Sequence, residues 1–214
     1  MVRIKICGIT NAGDYDAARA LGVDFAGFVF YKKSPRYVDP DIVSRIPDGE
    51  GSLKRLRRVG VFVDEDRERI RDIYHSARLD IVQLHGSETP EFCDALELPC
   101  WKAFRLGAGV GTPDPERYRC QALLFDSFHP KLAGGSGRTL DIERVKLLRI
   151  QKTPFILAGG ISQENVGDYL ALGPYAVDVS SSVEDRPGKK NQERMRSLVN
   201  TIRQWEREHA RRSK

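Results

Sequence analysis

The 214-residue chain has no long hydrophobic run: nowhere do about 18 consecutive apolar residues occur, so no transmembrane helix is expected. Its first residues, MVRIKICGIT, carry no apolar core behind a basic region, so no secretory leader and a cytoplasmic location are expected. Cysteine is sparse. Cys7, Cys93, Cys100 and Cys120 are irregularly spaced without a CxxC pair, which signals neither a zinc site nor a disulfide framework; free thiols are expected. There are only four histidines, and His75 and His209 fall in stretches read below as helices, so no metal site is expected. Long blocks of like charge are also missing. The formal charge of +5 is spread through mixed segments such as DEDRERIRD and RQWEREHARRSK, which read as solvated helix surface, so neither nucleic acid nor membrane is expected as a partner. The same modest positive field favours the approach of a small polyanion.

What is present is alternation. Eight short β-rich runs occur: VRIKIC (2–7), DFAGFVF (24–30), RRVGVFV (57–63), DIVQLH (80–85), CWKAFR (100–105), ALLFD (122–126), PFILA (154–158) and AVDVS (176–180). Between and after them helices are expected at 12–21, 40–46, 66–77, 90–96, 113–118, 142–148, 163–171 and 192–208. Caps are expected at Asn11, Ser87 and Ser162, and Pro113 and Pro115 keep the fifth helix short. IPDGEGSLKRLRR reads as a long loop before the third strand. Runs this apolar imply parallel strands covered by helices. Eight such units predict one (β/α)8 TIM barrel over residues 1–214, an α/β fold that leaves no sheet edge. The rival, an open doubly wound sheet, usually has a GxGxxG loop after its first strand, and CGIT at 7–10 is not one.

Barrels of this kind carry their sites at the carboxyl ends of the strands. Cys7 ends the first run, and side-chain alternation places Arg3, Lys5 and Cys7 on one face with Ile4 and Ile6 on the other, so Cys7 is expected to look into the barrel mouth. Gln83 and His85 share a face at the fourth strand end, Asp126 ends the sixth, and Asp178 and Ser180 share a face at the eighth. Any one of these reads more readily as a loop polar group satisfied by nearby backbone; their joint occurrence at strand ends marks a site. Two further stretches suit an anion. LAGGIS (157–162) and VSSSVED (179–185) follow strands seven and eight, where backbone N–H groups and helix starts hold phosphate in this fold. LAGGSGRTLD (132–141) is glycine-rich too, and folding over a ligand and mere flexibility explain it equally well. YKKSPRYV (31–38) presents Arg36 beside Pro35, a planar pair of donors suited to a carboxylate.

The motifs KICGIT, SPRYV, VGVFV, QLHG, FDS, GGSGR, LAGGI and VDVSS, in this order over nearly the whole chain, resemble the phosphoribosylanthranilate isomerase family of tryptophan biosynthesis. The resemblance implies an Amadori rearrangement of a phosphorylated small molecule, N-(5-phosphoribosyl)anthranilate, to 1-(2-carboxyphenylamino)-1-deoxyribulose 5-phosphate, by a monomer or homodimer. It assigns Asp126 as the general acid that protonates the ring oxygen and Cys7 as the general base that removes the C2′ proton. Arg36 is assigned to the anthranilate carboxylate, Asp178 to a ribose hydroxyl, and Gly159, Gly160, Ser180 and Ser181 to the phosphate, with Gly135 and Ser136 closing from the other side. No cofactor is implied, because the iminium on the substrate's own nitrogen is the electron sink. Lys5 is the candidate for favouring the thiolate, since a free cysteine near pKa 8.5 is little ionised at neutral pH. Asp126 must hold a proton for part of the cycle, which burial or a neighbouring carboxylate such as Asp178 favours. His85 is divided between a ligand contact and a histidine bonded to its own loop.

The chain also departs from the family pattern. Ser182 occupies a position where glycine is usual, which predicts backbone strain, and Asn191 stands where aspartate is common. The competing enzyme reading, a metal-dependent sugar-phosphate epimerase, requires several histidines and carboxylates converging on one ion. The competing non-enzyme reading is a phosphate- or nucleic-acid-binding barrel without turnover.

Overall fold

Strand β1 (Arg3–Cys7) pairs in parallel with β2 (Phe25–Val29) on one side and β8 (Ala176–Val179) on the other. Between them run β3 (Arg57–Phe62), β4 (Ile81–Leu84), β5 (Cys100–Leu106), β6 (Ala122–Ser127) and β7 (Phe155–Leu157), each bonded to the next, so the sheet closes into the expected eight-stranded barrel. The computed structural model describes residues 1–47, 55–106, 114–127 and 153–210. Helices α1 (Ala12–Ala20), α2 (Pro40–Arg45), α3 (Arg67–Ser76), α4 (Pro90–Leu96), α5 (Val166–Leu170) and α6 (Gln192–Ala210) follow strands 1, 2, 3, 4, 7 and 8. The helix expected at 142–148 lies outside the described residues.

Alternation along the strands divides the apolar residues into two layers. Phe25, Val59, Ile81, Trp101, Leu124 and Ile156 fill the barrel interior, where Phe25 and Trp101 meet edge-to-face with centroids 4.9 Å apart. Ile4 and Ile6, one step out of phase, pack outward against the helices. The inward positions of β1 are different in kind: Lys5 is fully buried and Cys7 partly so. The barrel is therefore packed below and polar at its mouth.

Local starts and stops follow chemistry that the sequence only partly exposed. Asn11 caps α1 by accepting from the Asp14 N–H at 2.9 Å, as expected. The other two expected caps are corrected. Thr89, not Ser87, caps α4, because it directly precedes Pro90 at the first helical position, while the Ser87 N–H is held by Asp64. Ser162 donates its hydroxyl to Glu164, and α5 has no side-chain cap. The fifth expected helix shrinks to one 3-10 turn at Pro115–Arg117, begun by the Asp114 carboxylate accepting from Glu116 N–H.

One buried arginine joins two helices to the barrel. Arg58 points outward from β3, and its guanidinium donates to the carbonyls of Val43, Ile46 and Ala77 at the carboxyl ends of α2 and α3. Helix ends present carbonyls without intrahelical partners and partial negative charge, so a cation there satisfies both needs at once. Arg58→Met keeps the stem and removes these donors. It is expected to lower the unfolding free energy by about 2–4 kcal/mol, read as a lower denaturation midpoint at unchanged slope; a loss below about 0.5 kcal/mol would show that water replaces the guanidinium.

Candidate active site

Closing the barrel brings β1 and β8 together and with them the first pair of charges. Lys5 Nζ lies 2.7 Å from Asp178 Oδ2, and the charge of the same ammonium acts on the Cys7 sulfur one pleat above it. Gly27 of β2 makes room for both groups: a Cβ there would stand 2.8 Å from Cys7 Sγ and 3.0 Å from Lys5 Nζ. Burial pushes the Cys7 thiol up, Lys5 and the nearby Lys190 pull it down, Asp178 pushes it up, and the balance is a raised pKa. Asp178 is raised as well, first by burial and further by the charge of Asp126, against the pull of Lys5. Lys5 itself is held above its ordinary value, since Asp178 and Cys7 outweigh its desolvation. The resting site is thus a thiol beside a firmly charged ammonium.

The acid side is assembled at the ends of β4 and β6. Gln83 Nε2 lies 3.0 Å from His85 Nδ1, and because the amide nitrogen can only donate, Nδ1 accepts and the neutral ring carries its proton on Nε2. That Nε2 faces Asp126 Oδ2 at 3.4 Å. His85 is therefore bonded to its own strand on one side and turned toward Asp126 on the other. The charge of Asp126 pushes Asp178 up, and Asp178 pairs with the Lys5 ammonium beneath Cys7, so both carboxyls face one mouth.

Arg36 sits differently from a free surface arginine. Its Nε and Nη2 grip the Glu184 carboxylate at 3.0 and 2.7 Å, and Nη1 has no partner among the described residues. The Arg36 stem lies over Gly8, where a Cβ would come within 2.6 Å of Cδ; Gly8 also has φ +80°, so both space and backbone call for glycine there. Glu184 starts β9 (Glu184–Arg186), which returns through Gly188 to β10 (Lys189–Lys190). Lys190 then reaches back, fully buried, to Glu184 Oε1 at 2.8 Å and to the backbone carbonyls of Cys7 and Ser180. Burial holds Lys190 below the usual lysine range against the pull of Glu184, whereas Arg36 and Lys190 together keep Glu184 below the usual carboxylate range despite its burial. Sequence reasoning missed Glu184 and Lys190. The only signal was alternating charge in EDRPGKK, which looks the same on an exposed hairpin.

The expected anion loops carry open donors. Gly159 and Gly160 both have positive φ, their carbonyls accept from Tyr169 and Asn165 of the α5 region, and their N–H groups, like that of Ser181, meet no acceptor among the described residues. Ser181 opens a 3-10 turn, Ser181–Val183. The Ser180 hydroxyl is committed elsewhere, donating to the Cys7 carbonyl at 3.0 Å. The strain expected at Ser182 is absent: its φ is not positive, and its hydroxyl ties the two loops together by donating to Ile161 O at 2.6 Å. Asn191 accepts from the Arg194 N–H at the start of α6 and donates to Asp185 at 2.7 Å, a bond an aspartate would turn into repulsion. Gly135 and Ser136 lie outside the described residues. Among the described residues no three His, Cys, Asp or Glu side chains are grouped to hold a metal, and no helix is long and apolar enough to cross a membrane.

A closed parallel barrel that gathers a thiol, two carboxyls, a histidine and two loops with open N–H donors, one glycine-rich and one serine-rich, at one rim belongs to the (β/α)8 class of enzyme barrels. The model of the family N-(5'phosphoribosyl)anthranilate (PRA) isomerase matches residues 4–201. The N-(5'-phosphoribosyl)anthranilate isomerase of Geobacter sulfurreducens is 42% identical over 207 residues, covering 96% of this chain and 100% of the relative. The crystal structure of phosphoribosyl anthranilate isomerase from Thermus thermophilus aligns with TM-score 0.85 at 40% identity, over 95% of this chain and 99% of that one. A phosphoribosyl anthranilate isomerase in complex with reduced 1-(o-carboxyphenylamino)-1-deoxyribulose 5-phosphate aligns with TM-score 0.78 at 33% identity, over 95% and 100% of the two chains. The chain belongs to the PRA isomerase family.

The raised Cys7 pKa has a direct readout. Alkylation of the Cys7 peptide by iodoacetamide is expected to show a pH midpoint above the roughly 8.5 of a free cysteine, and Lys5→Met should move it further up by removing the nearest cation. A wild-type midpoint below about 8.5 would mean that the cations, not burial, dominate the sulfur.

Proposed function

We propose that this chain isomerises N-(5'-phosphoribosyl)anthranilate to 1-(2-carboxyphenylamino)-1-deoxyribulose 5-phosphate, with Asp126 as acid and Cys7 as base. The observation that carries the residue roles is the convergence at one barrel mouth of the Lys5–Asp178 pair beneath Cys7 with Asp126, whose charge acts on Asp178 and whose carboxylate faces His85. Protonated Asp126 gives its proton to the furanose ring oxygen, the C1′–O bond breaks, and the substrate nitrogen becomes an iminium. His85 Nε2–H then donates to the carboxylate left behind, which holds Asp126 in place.

The second half needs a base at C2′. The iminium brings a positive charge to the mouth, adding to Lys5, and so Cys7 gives its thiol proton to solvent at the stage where a base is required. The thiolate removes the C2′ proton, the electron pair flows into the iminium, and the enolamine tautomerises to the ketone. Chemistry of this kind is completed by protein side chains and the substrate nitrogen. Arg36, fixed by Glu184, turns Nη1 to the anthranilate carboxylate, and Asp178 accepts from a ribose hydroxyl. The phosphate rests on the Gly159, Gly160 and Ser181 N–H groups, with Ser180 contributing its backbone. All these groups come from one chain, so the reading serves a monomer and a homodimer alike, in the cytoplasm.

Loss of anthranilate fluorescence follows the reaction. Cys7→Ser and Asp126→Asn are each expected to lower kcat by at least about a hundredfold, the scale for losing a general acid or base; near-wild-type rates in both would overturn the roles. Arg36→Lys keeps the charge but loses the planar fork, so KM should rise about tenfold with a smaller change in kcat. A substrate analogue without the ring carboxylate should not distinguish Arg36→Lys from the wild type. If it does, Arg36 acts through the loop and not on the carboxylate.

A further inference from the structure

Three of the four cysteines meet at the end of the barrel opposite the mouth. Cys100 opens β5, Cys120 lies two residues ahead of β6, and their sulfurs are 3.4 Å apart. Cys93, on α4, is also within bonding reach of Cys120. The backbone fixes this approach. Gln121 N–H donates to the Cys100 carbonyl at 2.9 Å and Trp101 pairs with Ala122, so Cys120 sits one residue off the register partner of Cys100. A strand spacing of about 4.8 Å with one residue of offset, about 3.3 Å, gives a diagonal near 6 Å, inside the roughly 4.4–6.8 Å between Cα atoms that a disulfide spans. Cys100 is buried, whereas Cys120 is partly exposed and accessible to a solute.

We propose that Cys100 and Cys120 form an oxidation site that closes to a disulfide on exchange with a small-molecule disulfide, separate from the catalytic thiol. Cys120, the more exposed thiol, gives its proton to solvent and its sulfur attacks RS–SR, forming a mixed disulfide and releasing RS⁻, which is protonated by solvent to RSH. Cys100, Cys93 and burial hold the Cys120 thiol up, so this step quickens as pH rises. The Cys100 sulfur, already beside it, attacks the Cys120 sulfur; the bond to RS breaks and the second RS⁻ leaves with the Cys100 proton. Two protein thiols are oxidised and one RS–SR is reduced to two RSH, so electrons and protons balance. Burial favours the second step over accumulation of the adduct, because the resolving sulfur is within contact distance and a bulky RS group on Cys120 has to be held against packed strands. The reaction leaves Cys7 untouched, since that thiol is at the other end of β1 and its neighbours are Lys5 and Gly27.

The reduced full chain is incubated with excess oxidised glutathione, and its intact mass and peptide map are read without reduction. The expected product has lost about 2 Da, the mass of two hydrogens, and carries a link between the Cys100 and Cys120 peptides. Cys7→Ser should lose the same mass. Cys120→Ser should lose none while keeping its isomerase rate, because Cys120 has no contact with the mouth. A stable glutathione adduct on Cys120 without the link, a link from Cys120 to Cys93 instead, or thiols unchanged at large excess of oxidant would each overturn the proposal.

Discussion

Lys5 and Asp178 face each other at 2.7 Å across the seam where the first and last strands pair, and both are withdrawn from water. Burying two charges costs several kcal/mol per ion, roughly, and the cost is offset only when each has a close partner and correct geometry. A barrel has no other place to put them: the seam forms only when all eight strands are in register, so the pair is made by closure and would be left as two uncompensated charges if closure failed. Cys7 inherits its surroundings from this arrangement. Its sulfur is above a cation that cannot leave, over a glycine that cannot crowd it.

A second cation works on the same strand end from behind. Lys190 bonds the Cys7 carbonyl and not the sulfur, and it shares Glu184 with Arg36. Glu184 is thus the common anion of two buried cations: Lys190, which bonds the Cys7 backbone, and Arg36, whose guanidinium it orients over the mouth. This explains why Glu184 ionises more readily than an ordinary carboxylate although it is buried, since desolvation is outweighed by two partners at hydrogen-bond distance. It also explains why a short hairpin after β8 belongs to this barrel. β9 supplies the carboxylate that Arg36 grips, and β10 returns Lys190 to that same carboxylate.

The alternation of apolar runs made the eight strands and their inward faces legible, because period two along a strand is set by the backbone itself. That period, with the strand ends, placed Cys7, Asp126 and Asp178 at the mouth and Lys5 one pleat below Cys7. The partners of those residues could not be placed this way. Arg36 and Glu184 are 148 residues apart and Lys5 and Asp178 are 173 apart, and nothing local in either segment states that they meet. The two misplaced caps fail for a nearer reason: Ser87 has the right side chain, but Asp64 had already taken its N–H and Thr89 stood next to the proline.

The departures at Ser182 and Asn191 bear on how the phosphate rim is held. A glycine at 182 would free the turn, whereas serine adds a bond from the loop after β8 to the loop after β7 at Ile161, adjoining Gly160. Asn191 gives the start of α6 an acceptor and gives Asp185 a donor, so the hairpin is tied to the helix that follows it without a second carboxylate beside Asp185. Both changes replace conformational freedom with specific hydrogen bonds around donors that have to be in place before the anion arrives. A rim fixed in advance loses less entropy when a ligand binds against it, so less of the binding energy is spent on ordering the loops.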